Sequence, residues 1–297
     1  MIKRIKNYIY QKYLRYFRKY VRLSSSPYIS GDTFRKYSDH IYDEIKKVDV
    51  LKIKKNDIVF VKTDYLNDFI NNSLPHIEEF FILITHNSDY PIIKSYIDLI
   101  GDKNIKWYGQ NLEFSKSSDD RFGVIPIGLE NRSYLKNGKL DHFKIEIRNI
   151  EDKKNRIYCS FNTLTNKTRI VVLNLAKQNN LVDFNNFAQH KRYISDLNSY
   201  KFNLCPYGNG LDTHRFWESL IVNTIPIVKN SDFIQNFKNF NIPMLIVEDW
   251  KEIVEMDEVF LKSTYEKNYE KLLEGKYNKI DFWLETIKKS KQSRTRR

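Results

Sequence analysis

The sequence predicts an α/β protein of two units, each built on a parallel sheet that is covered on both faces. Runs of four to six apolar residues alternate along the chain with stretches of helical periodicity. Such continuous apolar runs are typical of parallel strands, because helices bury both faces of the sheet. A charged stretch near residue 150 interrupts the alternation, which then begins again. The chain of 297 residues is long enough for two modest cores.

This pattern divides the chain into four ranges. Residues 1–23 are predicted to form a basic amphipathic helix, 24–150 the first α/β unit, 151–279 the second, and 280–297 a C-terminal helix with a basic tail. The first unit is expected to contain strands Asp57–Val61, Glu79–Thr85, Ile105–Trp107 and Val124–Ile127, and a helix at Tyr90–Ile100. The second is expected to contain strands Arg156–Ser160, Phe202–Cys205, Ile225–Val228 and Pro243–Val247, and helices at Thr165–Lys177, Tyr193–Leu197, Lys251–Glu255 and Val259–Leu273. The C-terminal helix is expected at Ile280–Lys289.

The net charge of +13 is concentrated at the two ends of the chain. Residues 1–22 hold eight basic residues and no acid, and residues 288–297 hold six basic residues and no acid. Removing these fourteen leaves 36 basic against 37 acidic residues in the body of the chain. A nearly neutral body argues against a basic groove through the core, so no nucleic-acid partner is expected.

The N-terminal helix has one face on which apolar and tyrosine side chains recur at helical spacing: Ile2, Ile5, Ile9, Tyr13, Tyr16 and Tyr20. A basic helix of this kind either lies on an anionic membrane surface or packs its tyrosine face against the domain. The segment is too charged for a secretory signal, and no apolar run approaches the roughly 18 residues of a membrane span.

Cys159 and Cys205 are the two cysteines of the chain, and both sit in or beside predicted buried strands. Two isolated thiols supply neither a zinc site nor a disulfide framework. We therefore expect reduced core thiols and a cytoplasmic protein, peripheral on the inner face of the membrane if its first helix binds lipid.

The segment Tyr200–Val228 is the most informative part of the sequence. A predicted buried strand leads into a turn that contains Gly208 and Gly210, where the backbone can bend tightly and approach a ligand closely. A helix capped by Asp212 or Thr213 follows, and a second buried strand comes after it.

Three ionisable residues, His214, Arg215 and Glu218, fall in the first two turns of this helix, close to its exposed N–H groups. This arrangement favours a phosphorylated ligand. Arg215 can place two N–H groups on phosphate oxygens, and Glu218, one turn later, can accept hydrogen bonds from ribose hydroxyls. Asn209 and Thr213 are further donor-binding candidates in the same segment. The alternative is an Arg215–Glu218 ion pair on a solvated face.

Two loops after predicted strands of the first unit carry candidate general bases. His86 and Asp89 follow the strand that ends at Thr85, and Glu130 follows the strand that ends at Ile127. The alternatives are an Asx turn that caps the next helix and, for Glu130, a surface ion pair with a neighbouring Arg or Lys.

A loop of the second unit offers small polar and basic side chains where a diphosphate could meet a helix start. These candidates are Ser160, Asn162, Lys167 and Arg169. No metal is expected, because the adjacent acids Asp119-Asp120 and Glu248-Asp249 do not form an Asp-x-Asp pair after a buried strand, as a magnesium-dependent transferase would require.

The segment from Tyr200 to Phe233 resembles the donor-binding region of exostosin-like glycosyltransferases. The shared pattern appears here as Pro206, Gly208, Arg215, Glu218 and Pro226-Ile227-Val228. The segment is also similar to the KFN…E…IPI region of bacterial fucosyltransferases. Upstream, FILITHNSDYP and IPIGLENR resemble bacterial members of the exostosin-like set, some of them associated with galactofuranose transfer.

This resemblance implies a GT-B fold, in which two Rossmann-like domains face a cleft. The C-terminal domain would bind a nucleotide sugar and the N-terminal domain the acceptor, without metal or cofactor, because a helix start and basic side chains hold the diphosphate. It places Arg215 on phosphate and Glu218 on ribose, with Gly208 and Gly210 allowing close backbone approach. Six residues separate Gly208 from Arg215, a departure from the usual spacing that leaves the role of His214 open.

The activity implied is sugar transfer, by a single displacement with inversion, to a glycan or lipid-linked acceptor in surface polysaccharide synthesis. A UDP-sugar is favoured as donor, with UDP-galactofuranose as one candidate, and GDP-fucose comes next. Asp89 is the preferred base, followed by His86 and Glu130. Two other functions remain open: a nucleotide-sugar- or glycan-binding module without turnover, and a nucleic-acid-associated protein that uses its basic ends.

Overall fold

The computed structural model describes residues 5, 8–10, 12–13, 16–17, 20–185 and 189–293. The ten strands in these residues form two sheets of five, and every pairing between neighbouring strands is parallel. The predicted fold class is confirmed: two Rossmann-like α/β units, the architecture of a GT-B fold.

The first sheet follows the order of the sequence. Its strands are β1 (His40–Tyr42), β2 (Ile58–Lys62), β3 (Phe81–His86), β4 (Ile105–Gly109) and β5 (Phe122–Val124), in the order β1-β2-β3-β4-β5. The central strand β3 is buried at all six positions, as its continuous apolar run predicts.

The second sheet reverses its direction of growth once. Its strands are β6 (Lys154–Cys159), β7 (Val182–Phe184), β8 (Tyr200–Leu204), β9 (Ile225–Lys229) and β10 (Leu245–Val247), in the order β10-β9-β8-β6-β7. Because β7 lies on one side of β6 and β8 on the other, the loops after β6 and β8 lead away in opposite directions. A crevice opens at such a switch point, and open α/β sheets bind their ligands there.

The α-helices between residues 31 and 293 cover the sheets and join the domains. They are α1 (Gly31–Lys36), α2 (Leu66–Asn72), α3 (Tyr96–Ile100), α4 (Thr168–Ala176), α5 (His190–Leu197), α6 (His214–Ile221), α7 (Asp232–Lys238), α8 (Glu258–Glu274) and α9 (Ile280–Ser293). Short 3₁₀ helices lie at Val50–Lys52, Thr63–Tyr65, Leu74–His76, Lys116–Ser118, Leu140–Phe143, Trp250–Glu255 and Lys276–Asn278.

The described part of the N-terminal segment is helical and exposed. Ile5, Ile9, Tyr13 and Tyr16 are each more than half exposed, so this face does not pack against the domain. Ile2, the first member of the predicted face, lies outside the described residues. None of the helices that the structure describes is both long and apolar enough to cross a membrane.

The chain beyond α8 packs against both domains. Trp283 of α9 is fully buried, with its ring centroid 6.1 Å from that of Trp217 and 4.9 Å from that of Phe240. At the start of the same helix, the Ile280 amide donates to the carbonyl of Pro27. Cys159 and Cys205 are free thiols, and both are buried, which confirms their predicted place in the core.

Three local predictions differ from the structure. The strand expected at Val124–Ile127 is found at Phe122–Val124, because Pro126 has no N–H with which to continue the ladder. The helix expected at Tyr90–Ile100 is shortened to Tyr96–Ile100, since Ile92 pairs with Leu112 in an isolated bridge instead. The short strands β1 and β7 were not predicted, because three residues give too little periodicity.

Candidate active site

A cavity of about 840 Å³ lies between the two domains. Loops that follow strands of both sheets line it, together with the first turns of α6. It therefore lies at the carboxyl ends of the strands and beside the switch point between β6 and β8. Of the fourteen residues predicted for catalysis or donor binding, twelve line it: His86, Asp89, Glu130, Asn162, Arg169, Gly208, Asn209, Gly210, Thr213, His214, Arg215 and Glu218.

The other two predicted residues lie outside the lining. Ser160 is buried behind the cavity wall and contributes its carbonyl oxygen, as described below. Lys167 is exposed at the N-cap of α4.

The loop between β8 and α6 is tied to the N-terminal domain through Asp212. One carboxylate oxygen of Asp212 accepts a hydrogen bond from the Ile127 amide at 2.7 Å, and the other accepts from the Thr213 amide at 2.8 Å. The indole Nε1–H of Trp217 donates to the same carboxylate at 2.9 Å. Thr213 is the N-cap of α6, so these bonds fix the helix start against the opposite domain.

Gly210 is a point of close approach between the two domains. A Cβ atom there would come within 2.6 Å of Nδ2 of Asn111, whose Oδ1 accepts from the Asp212 amide at 2.8 Å. The sequence predicted that this glycine allows approach to a ligand; in the structure it also allows approach to Asn111. Gly208 has more room, with the nearest atom 3.3 Å away, on Arg169.

The side chain of Arg215 joins the two loops at the switch point, because it extends from α6, after β8, to Ser160, which follows β6. Its Nε–H donates to the Ser160 carbonyl at 2.8 Å, and its guanidinium carbon lies 5.7 Å from the ring centroid of Tyr193. One bond from Nε therefore fixes the side chain, while the residue lines the cavity. A guanidinium held in this way has its terminal N–H groups available to an anion.

Glu218 lies one turn further along α6 and is 4% exposed. Its Oε1 accepts a hydrogen bond from Nε2 of His190 at 2.8 Å, and His190 in turn meets His142 at 2.7 Å through their Nδ1 atoms. Burial raises the pKa of Glu218, but the bond and charge of His190, with the charges of His214 and Arg215, hold it below its usual value. Within the described residues, Arg215 and Glu218 form no ion pair with each other, so the alternative considered from sequence does not occur.

Arg169 braces the loops after β6 and β8. Its guanidinium donates to the carbonyls of Tyr207 at 2.7 Å, Asn162 at 3.0 Å and Pro206 at 3.3 Å. Burial and the nearby charge of Arg215 lower the pKa of Arg169 to about 10, so it stays charged at neutral pH. Its N–H groups support the cavity wall, and its charge adds to the field inside.

His214 connects the helix start with the N-terminal domain. Its Nδ1 lies 2.7 Å from the Gly128 carbonyl, so Nδ1 carries the hydrogen, and its Nε2 lies 3.6 Å from Oε2 of Glu130. Burial lowers the pKa of His214, but the Glu130 carboxylate and the Gly128 carbonyl outweigh it and raise the pKa above its usual value. A partly charged imidazole thus faces both a carboxylate and the cavity.

The other two base candidates have different surroundings. His86 is 2% exposed, and both of its ring nitrogens are engaged: Nδ1 accepts from the Asn87 amide at 2.7 Å, and Nε2–H donates to the Pro126 carbonyl at 3.0 Å. Burial lowers its pKa to about 4. Asp89 is exposed at the mouth of the cavity, where its Oδ2 accepts from Nδ2 of Asn209 at 3.2 Å.

A polar network supports the loops that carry these candidates. Asn131 donates to the side-chain oxygen of Asn87 at 2.8 Å, Asn87 donates to Asp32 at 3.0 Å, and the Asp32 amide closes the ring by donating to Asn131 at 2.9 Å. Asn87 adopts a left-handed backbone conformation with φ of 63°, which Asn tolerates well. The loops after β3 and β5 are thereby held at a fixed separation.

Several residues at the site were not singled out from the sequence. The sequence pattern does not indicate His190 or Asn111, and it indicates Asp212 only as a helix cap. The one available signal is position, because Asn111 follows the buried strand β4 just as Asp89 follows β3. Across the described ranges, no group of three or more His, Cys, Asp or Glu side chains is arranged to hold a metal ion.

No protein-family model matches the chain, and no curated protein sequence matches it. Its fold is similar to distant solved structures. A UDP-forming α,α-trehalose-phosphate synthase from Burkholderia vietnamiensis is 8% identical over 82% of this chain and 76% of the other, with a TM-score of 0.45. An OtsA apo structure is 10% identical over 81% and 74%, with a TM-score of 0.45. An α1,3-fucosyltransferase is 12% identical over 76% and 84%, with a TM-score of 0.35.

The burial of neutral His86 gives a pH dependence of stability. Because its pKa is about 4 when folded and near 6.5 when unfolded, its contribution is complete above about pH 6.5 and is lost as the pH falls toward 4. We expect the free energy of unfolding of the wild type to fall by about 3 kcal/mol more than that of His86→Gln between pH 7 and 4. Urea denaturation at a series of pH values measures this difference. His76→Gln, at an exposed histidine, should keep the wild-type slope; equal slopes for wild type and His86→Gln would contradict the assignment.

Proposed function

We propose that this protein is a glycosyltransferase that takes a sugar from a nucleotide-sugar donor. The observation that carries the proposal is the position of Arg215 and Glu218, which line one cavity on the first two turns of α6 at the switch point of the C-terminal sheet. The cavity is shared with loops of the N-terminal domain, so a second substrate can meet the donor there.

The C-terminal side of the cavity suits a nucleoside diphosphate. The N-terminus of α6 and the terminal N–H groups of Arg215 offer donors and positive charge to the diphosphate, with the charge of Arg169 behind them. Glu218 is held as a carboxylate by His190 and can accept from the ribose hydroxyls. Asn209, Gly208 and Gly210 border the same pocket.

We assign the general base to Glu130 in preference to Asp89 and His86. Both ring nitrogens of His86 are committed to backbone partners, and Asp89 is exposed at the cavity mouth beside Asn209. Glu130 lies inside, with its Oε2 3.6 Å from His214. Its carboxylate faces the C-terminal wall, where the donor sugar would lie.

The mechanism is a single displacement with inversion. Glu130 accepts the proton of the acceptor hydroxyl, the acceptor oxygen bonds to the anomeric carbon, and the bond from that carbon to the diphosphate oxygen breaks. The electron pair leaves with the diphosphate, where Arg215, the α6 start and the partly charged His214 stabilise it. These groups supply the positive charge for the leaving group, so no metal or cofactor is proposed.

The donor we favour is a UDP-sugar, with UDP-galactofuranose as one candidate and GDP-fucose next. The acceptor is a glycan or lipid-linked glycan of a surface polysaccharide. These assignments rest on two resemblances, that of the segment from Tyr200 to Phe233 and, for galactofuranose, that of the upstream segments FILITHNSDYP and IPIGLENR. Screening UDP-, GDP-, CMP- and TDP-sugars for thermal stabilisation tests them, because a ligand at 100 times its Kd adds about 2.7 kcal/mol.

We also propose that the N-terminal helix binds an anionic membrane surface on the cytoplasmic side. Its described apolar and tyrosine side chains are exposed, and residues 1–22 hold eight basic residues and no acid. Exposed aromatic and aliphatic side chains beside basic ones suit the interface of an anionic bilayer. A lipid-linked acceptor would then be held near the enzyme.

Loss of the Arg215 guanidinium should remove leaving-group stabilisation. We expect Arg215→Ala to lower kcat/KM for sugar transfer by about 100-fold or more, and Arg215→Lys to fall between it and the wild type. The control is Arg192→Ala, at an arginine that is 76% exposed on α5. An Arg215→Ala enzyme with wild-type kcat/KM would refute the role.

Removal of the base should separate catalysis from binding. We expect Glu130→Gln to lower kcat by about 100-fold or more while the donor-induced rise in Tm persists. Asp89→Asn should change kcat much less. The outcome that would contradict the proposal is a wild-type rate of sugar transfer in all three variants, Glu130→Gln, Asp89→Asn and His86→Gln, with donor binding retained. The protein would then be a binding module and not a transferase.

Membrane binding should depend on the exposed helix face. We expect the variant Ile5→Ser/Ile9→Ser/Tyr13→Ser to lose co-sedimentation with vesicles that contain phosphatidylglycerol, and the wild type to bind them more tightly than phosphatidylcholine vesicles. The matched control is Leu51→Ser/Leu164→Ser/Val259→Ser, at exposed apolar residues elsewhere. Equal binding by the helix variant and this control would rule out the helix as the contact.

A further inference from the structure

A chain of three ionisable side chains runs from the segment between β5 and β6, which is the linker between the two sheets, to the wall of the cavity. His142 lies in the 3₁₀ helix Leu140–Phe143 of the linker, His190 is the first residue of α5, and Glu218 lies on α6. The two imidazoles meet at 2.7 Å, and His190 meets Glu218 at 2.8 Å. The side chains of His190 and Glu218 are 7% and 5% exposed.

The hydrogen bonds restrict the protonation states of this chain. Because Nε2 of His190 donates a hydrogen bond to the Glu218 carboxylate, that nitrogen carries a hydrogen. In the contact between the two Nδ1 atoms, one nitrogen must donate and the other must accept. If neither imidazole has an extra proton, His142 donates to His190. One extra proton can reside on either ring and keep the contact.

A second extra proton cannot enter without breaking the contact. Both Nδ1 atoms would then carry hydrogens that face each other at 2.7 Å, and two positive rings would repel. The pair therefore holds at most one extra proton as long as the linker stays packed against α5. A positively charged pair forms an ion pair with Glu218, and a neutral pair forms a hydrogen bond with it.

Neighbouring positive charges disfavour a proton at both ends of the chain. Lys139 and Lys191 disfavour a proton on His142, and Asp141 favours it. Burial and the charge of His190 lower the pKa of His142 from its usual value. At the other end, the charges of His214 and Arg215 favour the ionised form of Glu218.

We propose that His190, held in place by His142, is a positioning residue for the carboxylate of Glu218. The two imidazoles share at most one extra proton, and this limit makes the affinity for the nucleotide depend on pH. The proposal rests on the proposed function, in which Glu218 accepts from the ribose. His190 holds Oε1 and so orients the carboxylate toward the cavity. When the second proton enters in acid, the contact with His142 opens, Glu218 loses its fixed orientation and the nucleotide binds more weakly.

Binding of UDP, and of GDP as the second probe, measured by calorimetry between pH 5 and 8, tests the positioning role. We expect His190→Ala to raise Kd by about tenfold or more at pH 7.5, because one hydrogen bond to a carboxylate is lost. His190→Gln can still donate to Oε1, so it should bind within about threefold of the wild type at pH 7.5 and lack the acid loss of affinity. The control His40→Gln removes a histidine that pairs with Asp57 in the other domain and should leave the profile unchanged.

Histidine-selective NMR of the ligand-free protein gives a second test. The chain has six histidines, so single substitutions assign their signals. We expect the signals of His142 and His190 to respond to pH together, because the contact between them admits only one extra proton, and Glu218→Gln to alter this shared response. Wild-type Kd and pH profile in His190→Ala, or independent titration of the two rings unaffected by Glu218→Gln, would overturn the proposal. Failure of the wild type to bind either nucleotide would instead overturn the proposed function. The NMR result would still show whether His142 and His190 share one extra proton.

Discussion

The arrangement of the site depends on one buried carboxylate, that of Asp212. It joins three parts of the molecule that come from distant stretches of sequence: the Ile127 amide of the N-terminal domain, the Thr213 amide at the start of α6, and the Trp217 indole in the core. Burial raises the pKa of Asp212 to about 7, against the pull of these donors toward the ionised form. Burial of this carboxylate without such partners would destabilise the folded protein. The loop before α6, the start of α6 and the contact with the N-terminal domain therefore depend on one another.

The balance of charge in the cavity follows from its two walls. The C-terminal wall carries Arg215 and Arg169, whose hydrogen bonds go to backbone carbonyls. The N-terminal wall carries Asp89 and Glu130. In the function proposed above, the arginines would serve the leaving diphosphate and a carboxylate of the opposite domain would accept the proton, while Glu218 adds a carboxylate to the C-terminal wall. The titratable His214 bridges the two walls.

The sequence predicted those features that local pattern encodes. The apolar runs of β2, β3, β8 and β9 mark buried strands wherever they lie, and the glycine turn before Arg215 and Glu218 marks a helix start within one short segment. Strand order is different: β7 and β8 follow β6 in sequence, but they pair with opposite edges of it. Nothing local distinguishes that arrangement from a sequential sheet like the first one.

The same limit applies to individual residues. The sequence predicts that Arg215 and Glu218 lie at the site because a glycine turn and a helix start are their neighbours in sequence, and both residues line the cavity. His190, Asn111 and Asp212 act through partners 28 to 101 residues away, which periodicity does not reveal. For Arg169 the local pattern predicts too much. Its position next to a helix start predicts contact with a phosphate, whereas in the structure its N–H groups donate to three backbone carbonyls.

The position of Arg169 has a consequence for how an anion would be received. No carboxylate among the described residues is within ion-pair distance of its guanidinium, and Nε and both terminal nitrogens each donate to a backbone carbonyl. The charged guanidinium of Arg169 therefore keeps the potential positive beneath the turn that contains Gly208, whether or not an anion is bound. Dehydration of that cation takes place as the chain folds, so the phosphate of the proposed donor would meet an environment that is already polarised and needs little reorganisation to receive it.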